Sequence, residues 1–383
     1  MSNKLKYSLP LRTKLALEVE RKYHNIEIRE HALLQLFWEC TLSCNLKCRH
    51  CGSDCKVEKV NRDMPIEDFL KVLDGIKTSL ESKGEDYHRV FVIITGGEPL
   101  MRSDIAQCGF EIYKRGFPWG MVTNGYALTL DKFRKLRIAG LHSMTVSLDG
   151  LPDEHNWMRG TKESFERAVN AIKLLADTHI YDKEDEKIGV GPIRFDVVTC
   201  VNKKNLNTLH LIKELLIGLG VKEWRLFTVF PAGRAADEPL FHLSNEEFTQ
   251  LMEFIVKTRK EGTIKASYGC EGFLGRWEGK VRDHFFKCNA GISIASVLAD
   301  GSISACPSIR EDFVQGNIYR DDFMDVWNNR FVPYRNRDWA KKGICAECSF
   351  FRYCRGNGMH LRTPDGGISR CYLQPKKFRN YAL

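Results

Sequence analysis

Two hydrophobic rhythms alternate through the first two-thirds of the chain. Short apolar, β-branched runs read as buried strands: "ALLQLFWEC" (32–40), "RVFVIIT" (89–95), "WGMVT" (119–123), "HSMTVSL" (142–148), "IRFDVVTCV" (193–201) and "VKEWRLFTVF" (221–230). Between and after them, apolar residues recur at helical spacing over 65–82, 103–116, 129–140, 164–177, 205–220 and 244–262. Pro65 suits a first helical turn, Ser103 a cap and Gly116 a stop. About six strand–helix units result, the pattern of a parallel sheet with helical crossovers. A closed or partly closed β/α barrel and a doubly wound sheet both fit this α/β pattern.

The rhythm breaks at two places. "THIYDKEDEKIGVGP" (178–192) is charged and aperiodic, and reads as an exposed loop. Beyond residue 263 the repeat ends, and the chain turns rich in Gly, Cys and aromatics. The expected organisation is therefore an N-terminal extension (1–31), a core domain (32–263) and a small C-terminal domain with its tail (264–383). Its sparse apolar periodicity points to a domain held together by metal.

Composition narrows the class. With 383 residues, 43% hydrophobic and 28% charged, the chain suits a protein with a substantial core. The net charge of +9 mildly favours acidic partners, but the basic residues are dispersed, and the densest cluster, "QPKKFRN", reads as a solvated tail. No run is long and apolar enough for a signal peptide or membrane span, so the expected compartment is the cytoplasm. Fourteen cysteines in a reducing compartment point to metal ligation or catalysis rather than disulfides.

These cysteines fall in two groups. In "ECTLSCNLKCRHCGSDC" (39–55), Cys44, Cys48 and Cys51 follow the first strand, at the rim where parallel α/β folds place their chemistry. Three thiolates spaced in this way can hold one face of an iron–sulfur cube and leave its fourth iron without a protein ligand. A zinc site with Cys40 or Cys55 as fourth ligand is the alternative. Cys108 and Cys200 stand alone and read as small buried hydrophobes.

The spacing Cys44-x3-Cys48-x2-Cys51, with His50 where an aromatic is common, resembles the radical S-adenosylmethionine (radical SAM) family. The resemblance extends over about residues 32–235. It implies a partial (β/α)6 barrel, TIM-like, in which S-adenosylmethionine chelates the open iron of a 4Fe–4S cluster and is reductively cleaved to a 5′-deoxyadenosyl radical. It also implies a reducing electron donor such as flavodoxin or ferredoxin. "TGGEP" after the second strand is similar to the loop that receives the cofactor's amino group, with Gly96 and Gly97 giving close backbone approach and Glu98 accepting from the ammonium. Ser147 and, twelve residues on, Arg159 match a pair that holds its polar groups; Asn124 in "TNG" is a further candidate. Taken singly, these residues also read as a turn, a cap, an ion pair and a turn.

The second group comprises Cys288, Cys306, Cys345, Cys348, Cys354 and Cys371, with Cys270 shortly before it. A zinc ribbon would use Cys345 and Cys348 as a knuckle. The whole pattern resembles the SPASM extension of peptide- and protein-modifying radical SAM enzymes, which usually carries seven cysteines and two auxiliary 4Fe–4S clusters. By that resemblance Cys345, Cys348, Cys354 and Cys371 hold the outer cluster, and Cys288 and Cys306 belong to the inner one. Where the extension has its remaining cysteine, four positions after Cys354, this chain has Gly358. An open iron, a non-cysteine ligand, Cys270, or no inner cluster are the alternatives.

The resemblance implies a ribosomally made peptide or protein as substrate, ending as a thioether, a carbon–carbon cross-link, an oxidised side chain or an epimer. Sulfatase maturation is disfavoured because Pro307 follows Cys306 where that subfamily has an acid; Asp300 and Glu311, the nearby acids, read as turn and surface residues. A small-molecule or tetrapyrrole modifier is the runner-up. A non-catalytic iron–sulfur or zinc protein that binds nucleic acid is the reading from another class.

Overall fold

A computed structural model describes residues 9–53, 63–177, 192–230, 233–236, 238–269, 272–310 and 312–373. The charged loop at 178–191, the basic tail, Cys55, Cys270 and Glu311 lie outside the described residues.

The strands are β1 (Gln35–Glu39), β2 (Phe91–Thr95), β3 (Trp119–Thr123), β4 (Leu141–Ser147), β5 (Arg194–Val201), β6 (Glu223–Thr228) and β7 (Lys265–Tyr268). All pair in parallel, each with its sequence neighbour, from β1 to β7. A doubly wound sheet must reverse strand order at a switch point. Here there is none, so the sheet winds one way as an unclosed barrel. The crossovers are α2 (Ile66–Ser82), α3 (Ile105–Lys114), α4 (Leu130–Ile138), α5 (Pro152–Arg159) with α6 (Ser164–Ala176), α7 (Leu209–Gly218) and α8 (Asn245–Glu261). They follow α1 (Leu11–Glu30), a helix in the N-terminal extension.

Local chemistry explains the element ends. The α8 helix starts with a capping box: the Ser244 hydroxyl accepts from the Glu247 N–H, and the Glu247 carboxylate accepts from the Ser244 N–H. It stops at Gly262, whose φ of 72° suits glycine. The cap residue of α3 is Asp104 rather than Ser103, and the Asp104 carboxylate, instead of capping the helix, binds the Arg102 guanidinium. Pro65 is the cap residue just before α2.

Strand alternation sorts the two faces. Trp38, Ile94, Met121, Val146, Val197 and Leu226 pack outward with the helices into one core. Ser147, Thr145, Asp196 and Arg225 occupy the opposite, concave face, and there Thr145 and Arg225 both bond the Asp196 carboxylate.

The sheet does not stop at the expected boundary near residue 263. After β7 the chain returns to the other edge: β8 (Ile294–Val297) pairs parallel with β1, and β9 (Ser302–Ser304) and β10 (Gly316–Asn317) continue antiparallel. The C-terminal segment therefore shares the barrel's core, to which Trp327, Phe331 and Tyr334 contribute. Glu39, 2% exposed at the end of β1, joins the two parts by accepting from the Ala299 N–H and the Arg310 guanidinium.

Candidate active site

The loop that carries Cys44, Cys48 and Cys51 leaves β1 and is held on three sides. On one side stands the loop after β2. Its Gly97 N–H donates to Thr41 O at 2.7 Å and its Glu98 N–H to Ser43 O at 2.9 Å. A Cβ at Gly96 would lie 2.3 Å from Thr41 O, and one at Gly97 2.2 Å from Ser43 O. The close approach these glycines permit is thus to the cysteine loop's own backbone. Gly96 also has φ +149°, a conformation L side chains rarely adopt.

A second side is α5, a helix that sequence periodicity missed. The Met158 carbonyl accepts from the Arg49 N–H at 2.8 Å. Gly160 ends α5 with φ +78°, and a Cβ there would lie 2.8 Å from Lys47 O. The third side is the turn after β6: Arg234 donates from its backbone N–H to Cys51 O and from Nε to Cys48 O.

Inside this frame Cys44 and Cys48 are each 8% exposed, and Cys51 packs against them. The Leu46 N–H points at Cys44 Sγ at 3.4 Å. Burial pushes the Cys44 thiol up to about 11, against that N–H. Burial also raises Cys48, and the Arg159 guanidinium, with Nη1 3.6 Å from Cys48 Sγ, works the other way. Three adjacent soft donors, a backbone N–H and a cation aimed at their sulfurs form a set that suits anionic thiolates on iron.

Arg159 is no surface ion pair. Its Nε and Nη2 bind the fully buried Asp149 carboxylate at 2.7 and 2.5 Å. Burial works to raise Asp149, but the charge of Arg159 and the Cys200 N–H at 2.9 Å help hold it below the ordinary carboxylate range. Cys200 is half-buried rather than a core hydrophobe: its sulfur, a His50 ring nitrogen and an Asp149 oxygen lie within 4.8 Å of one another. Burial lowers the His50 imidazole to about 4. Cys40 and Cys108, by contrast, are fully buried in the core.

The other anticipated residues converge on the same rim. Glu98 is 1% exposed and accepts from Thr123 Oγ1, the Leu100 N–H and the Asn124 N–H. It therefore ties β2 to β3 besides any role toward a ligand, with acceptor capacity remaining on one oxygen. Asn124 donates from Nδ2 to Asn45 Oδ1 at 2.9 Å, reaching the cysteine loop from β3. Ser147 is half-buried at the end of β4 on the concave face.

The second thiol group forms two sets. Burial raises Cys354, and Cys371, Cys345 and Cys348 add to that rise as near neighbours. Arg362 Nη2 lies 3.0 Å from Cys345 Sγ. Burial pushes Cys306 up to about 11, with Cys288 beside it. Asp300 serves its turn, accepting from the Ser302 N–H.

The family model "Radical SAM superfamily" matches residues 38–189, and the SPASM model, "Iron-sulfur cluster-binding domain", matches 288–349. The chain belongs to the radical SAM superfamily, in its SPASM-bearing branch. As such an enzyme it uses 4Fe–4S clusters and S-adenosylmethionine. The "AdoMet-dependent heme synthase" of Methanosarcina barkeri is 27% identical over 83% of this chain and 89% of its own. "Mycofactocin maturase MftC" of Mycolicibacterium smegmatis is 28% identical over 91% of this chain and 83% of its own. Streptococcus suis SuiB, solved bound to S-adenosylmethionine, shares the fold with a TM-score of 0.65, at 15% identity over 94% of this chain and 80% of that one. Among the described residues, no helix is long and apolar enough to cross a membrane.

Proposed function

We propose that this radical SAM enzyme modifies a ribosomally made peptide or protein, with Cys44, Cys48 and Cys51 holding the cluster that binds S-adenosylmethionine. The observation that carries the site assignment is the convergence of two rim turns and the end of α5 on one thiol-bearing loop, with Arg159 against Cys48. When bound there, the cluster and S-adenosylmethionine would supply reductive radical chemistry able to remove a substrate hydrogen.

The chain's own residues do the rest. Arg159 offsets thiolate charge and is oriented by Asp149. Gly96, Gly97 and Glu98 set the wall facing the cofactor's amino group, and Ser147 and Asn124 offer polar contacts on the same rim. The concave face, with Asp196, Arg225 and Thr145, presents polar groups to a substrate. Cys345, Cys348, Cys354 and Cys371 hold an outer auxiliary cluster, and Cys288 and Cys306 belong to an inner one. A flavodoxin or ferredoxin in the cytoplasm supplies the electron.

The similarity to the maturase MftC over 91% of the chain supports a peptide substrate. The similarity to heme synthases favours a second reading, a tetrapyrrole substrate. Anaerobic co-expression with peptides encoded beside the gene separates the two. A peptide mass shift that requires Cys48 supports the first reading. Turnover confined to a carboxylate-bearing iron porphyrin overturns it in favour of the second.

A further inference from the structure

Position 358 is where the SPASM pattern calls for a cysteine and this chain has glycine. The backbone there does not require one: φ is −61° and ψ 143°, open to any residue. What sets position 358 apart is the space beside it. A Cβ at Gly358 would lie 2.7 Å from Cε1 and 3.0 Å from Nδ1 of His360. A tight turn, with the Leu361 N–H donating to Gly358 O at 3.0 Å, folds the imidazole back over the position two residues earlier. The ring thus occupies the volume a side chain at 358 would enter.

The residue next to Gly358 reaches the inner thiol set. Asn357 lines one small cavity with Cys288, Tyr334 and Arg337, and Cys354 of the outer set borders the same space. Tyr334 is close enough to both Cys306 and Cys288 to feel their charge. Arg337 donates to Asn357 O at 3.1 Å. The His360 ring meets Phe230 edge-on at 5.2 Å, and neither of its nitrogens hydrogen-bonds another described residue. A half-buried imidazole without a polar partner has ligand capacity to spare. Imidazole replaces thiolate on iron in known cluster types and raises their potential.

We propose that a ring nitrogen of His360 takes the coordination position that Gly358 leaves vacant in the inner auxiliary cluster, beside Cys288 and Cys306. This rests on the proposed assignment of those two cysteines to an auxiliary cluster. The glycine and the histidine then belong together: a side chain at 358 would exclude the ring that replaces it.

The test uses the full chain carrying Cys48→Ala, so that the radical-SAM cluster does not overlap. Protein labelled with ¹⁵N-histidine is reconstituted anaerobically, reduced with dithionite and read by iron analysis and pulsed EPR. The expected result is a nitrogen coupling that changes with the label. His360→Ala should remove the coupling together with one cluster's worth of iron. Gly358→Cys/His360→Ala should regain the iron without the coupling, which separates ligand loss from a folding defect. A cluster that assembles with no label-sensitive coupling overturns this inference alone. So does His360→Ala that keeps coupling and iron, or a double variant that fails to regain the iron. Absence of any inner cluster overturns the assignment of Cys288 and Cys306 as well. None of these readouts depends on the substrate.

Discussion

The Arg159 guanidinium grips the buried Asp149 carboxylate with Nε and Nη2 and places Nη1 3.6 Å from the Cys48 sulfur. One side chain from the end of α5 therefore joins the end of β4 to the thiol loop. Arg159→Ala leaves Asp149 buried without its cation, and breaking such a pair costs about 3–5 kcal/mol. The expected outcome is a lower midpoint in anaerobic urea unfolding. Arg159→Lys should recover only part of it, because an ammonium cannot reproduce the planar fork.

Gly97 tests the packing of the two rim loops. Its added methyl in Gly97→Ala would meet Ser43 O at 2.2 Å, backbone that cannot swing aside. The thiol loop should shift, and iron retained after reconstitution should fall while auxiliary iron stays. Iron analysis in the presence and absence of Cys48→Ala apportions the two.

The strand–helix rhythm makes the barrel legible in the sequence, and the spacing of Cys44, Cys48 and Cys51 does the same for the thiol site. What escapes has physical causes. The eight-residue α5 buries His155 and Arg159 beside Met158, so its inward face carries no apolar period. Asp149 looks like part of a turn, because the Cys200 N–H that fixes it lies 51 residues away. Cys200 sits in an apolar strand but on the concave face, where composition cannot tell core from site. The last strands join the barrel sheet because β8 pairs with β1, a contact without local signature.

The pair Glu39–Arg310 tests the coupling of barrel and C-terminal segment. Arg310→Met leaves the 2%-exposed Glu39 with the Ala299 N–H at 3.0 Å and should cost about 3 kcal/mol or more. Glu39→Gln/Arg310→Met should be less unstable than the sum of the single variants, since the buried charge is gone. Denaturant midpoints of the four proteins check this.

Cys348→Ala bears on the proposed outer cluster. Metal binding contributes folding free energy where thiols replace a core. The variant should lose auxiliary iron and melt at lower temperature under anaerobic conditions. Unchanged iron content and melting temperature would contradict the assignment.

The central claim is that this chain cleaves S-adenosylmethionine at Cys44, Cys48 and Cys51. The reconstituted protein, reduced anaerobically with S-adenosylmethionine, should release 5′-deoxyadenosine. Cys48→Ala, still holding its auxiliary iron, should release none. Release by Cys48→Ala at the parent rate, or none from the parent with its clusters intact, would contradict the account.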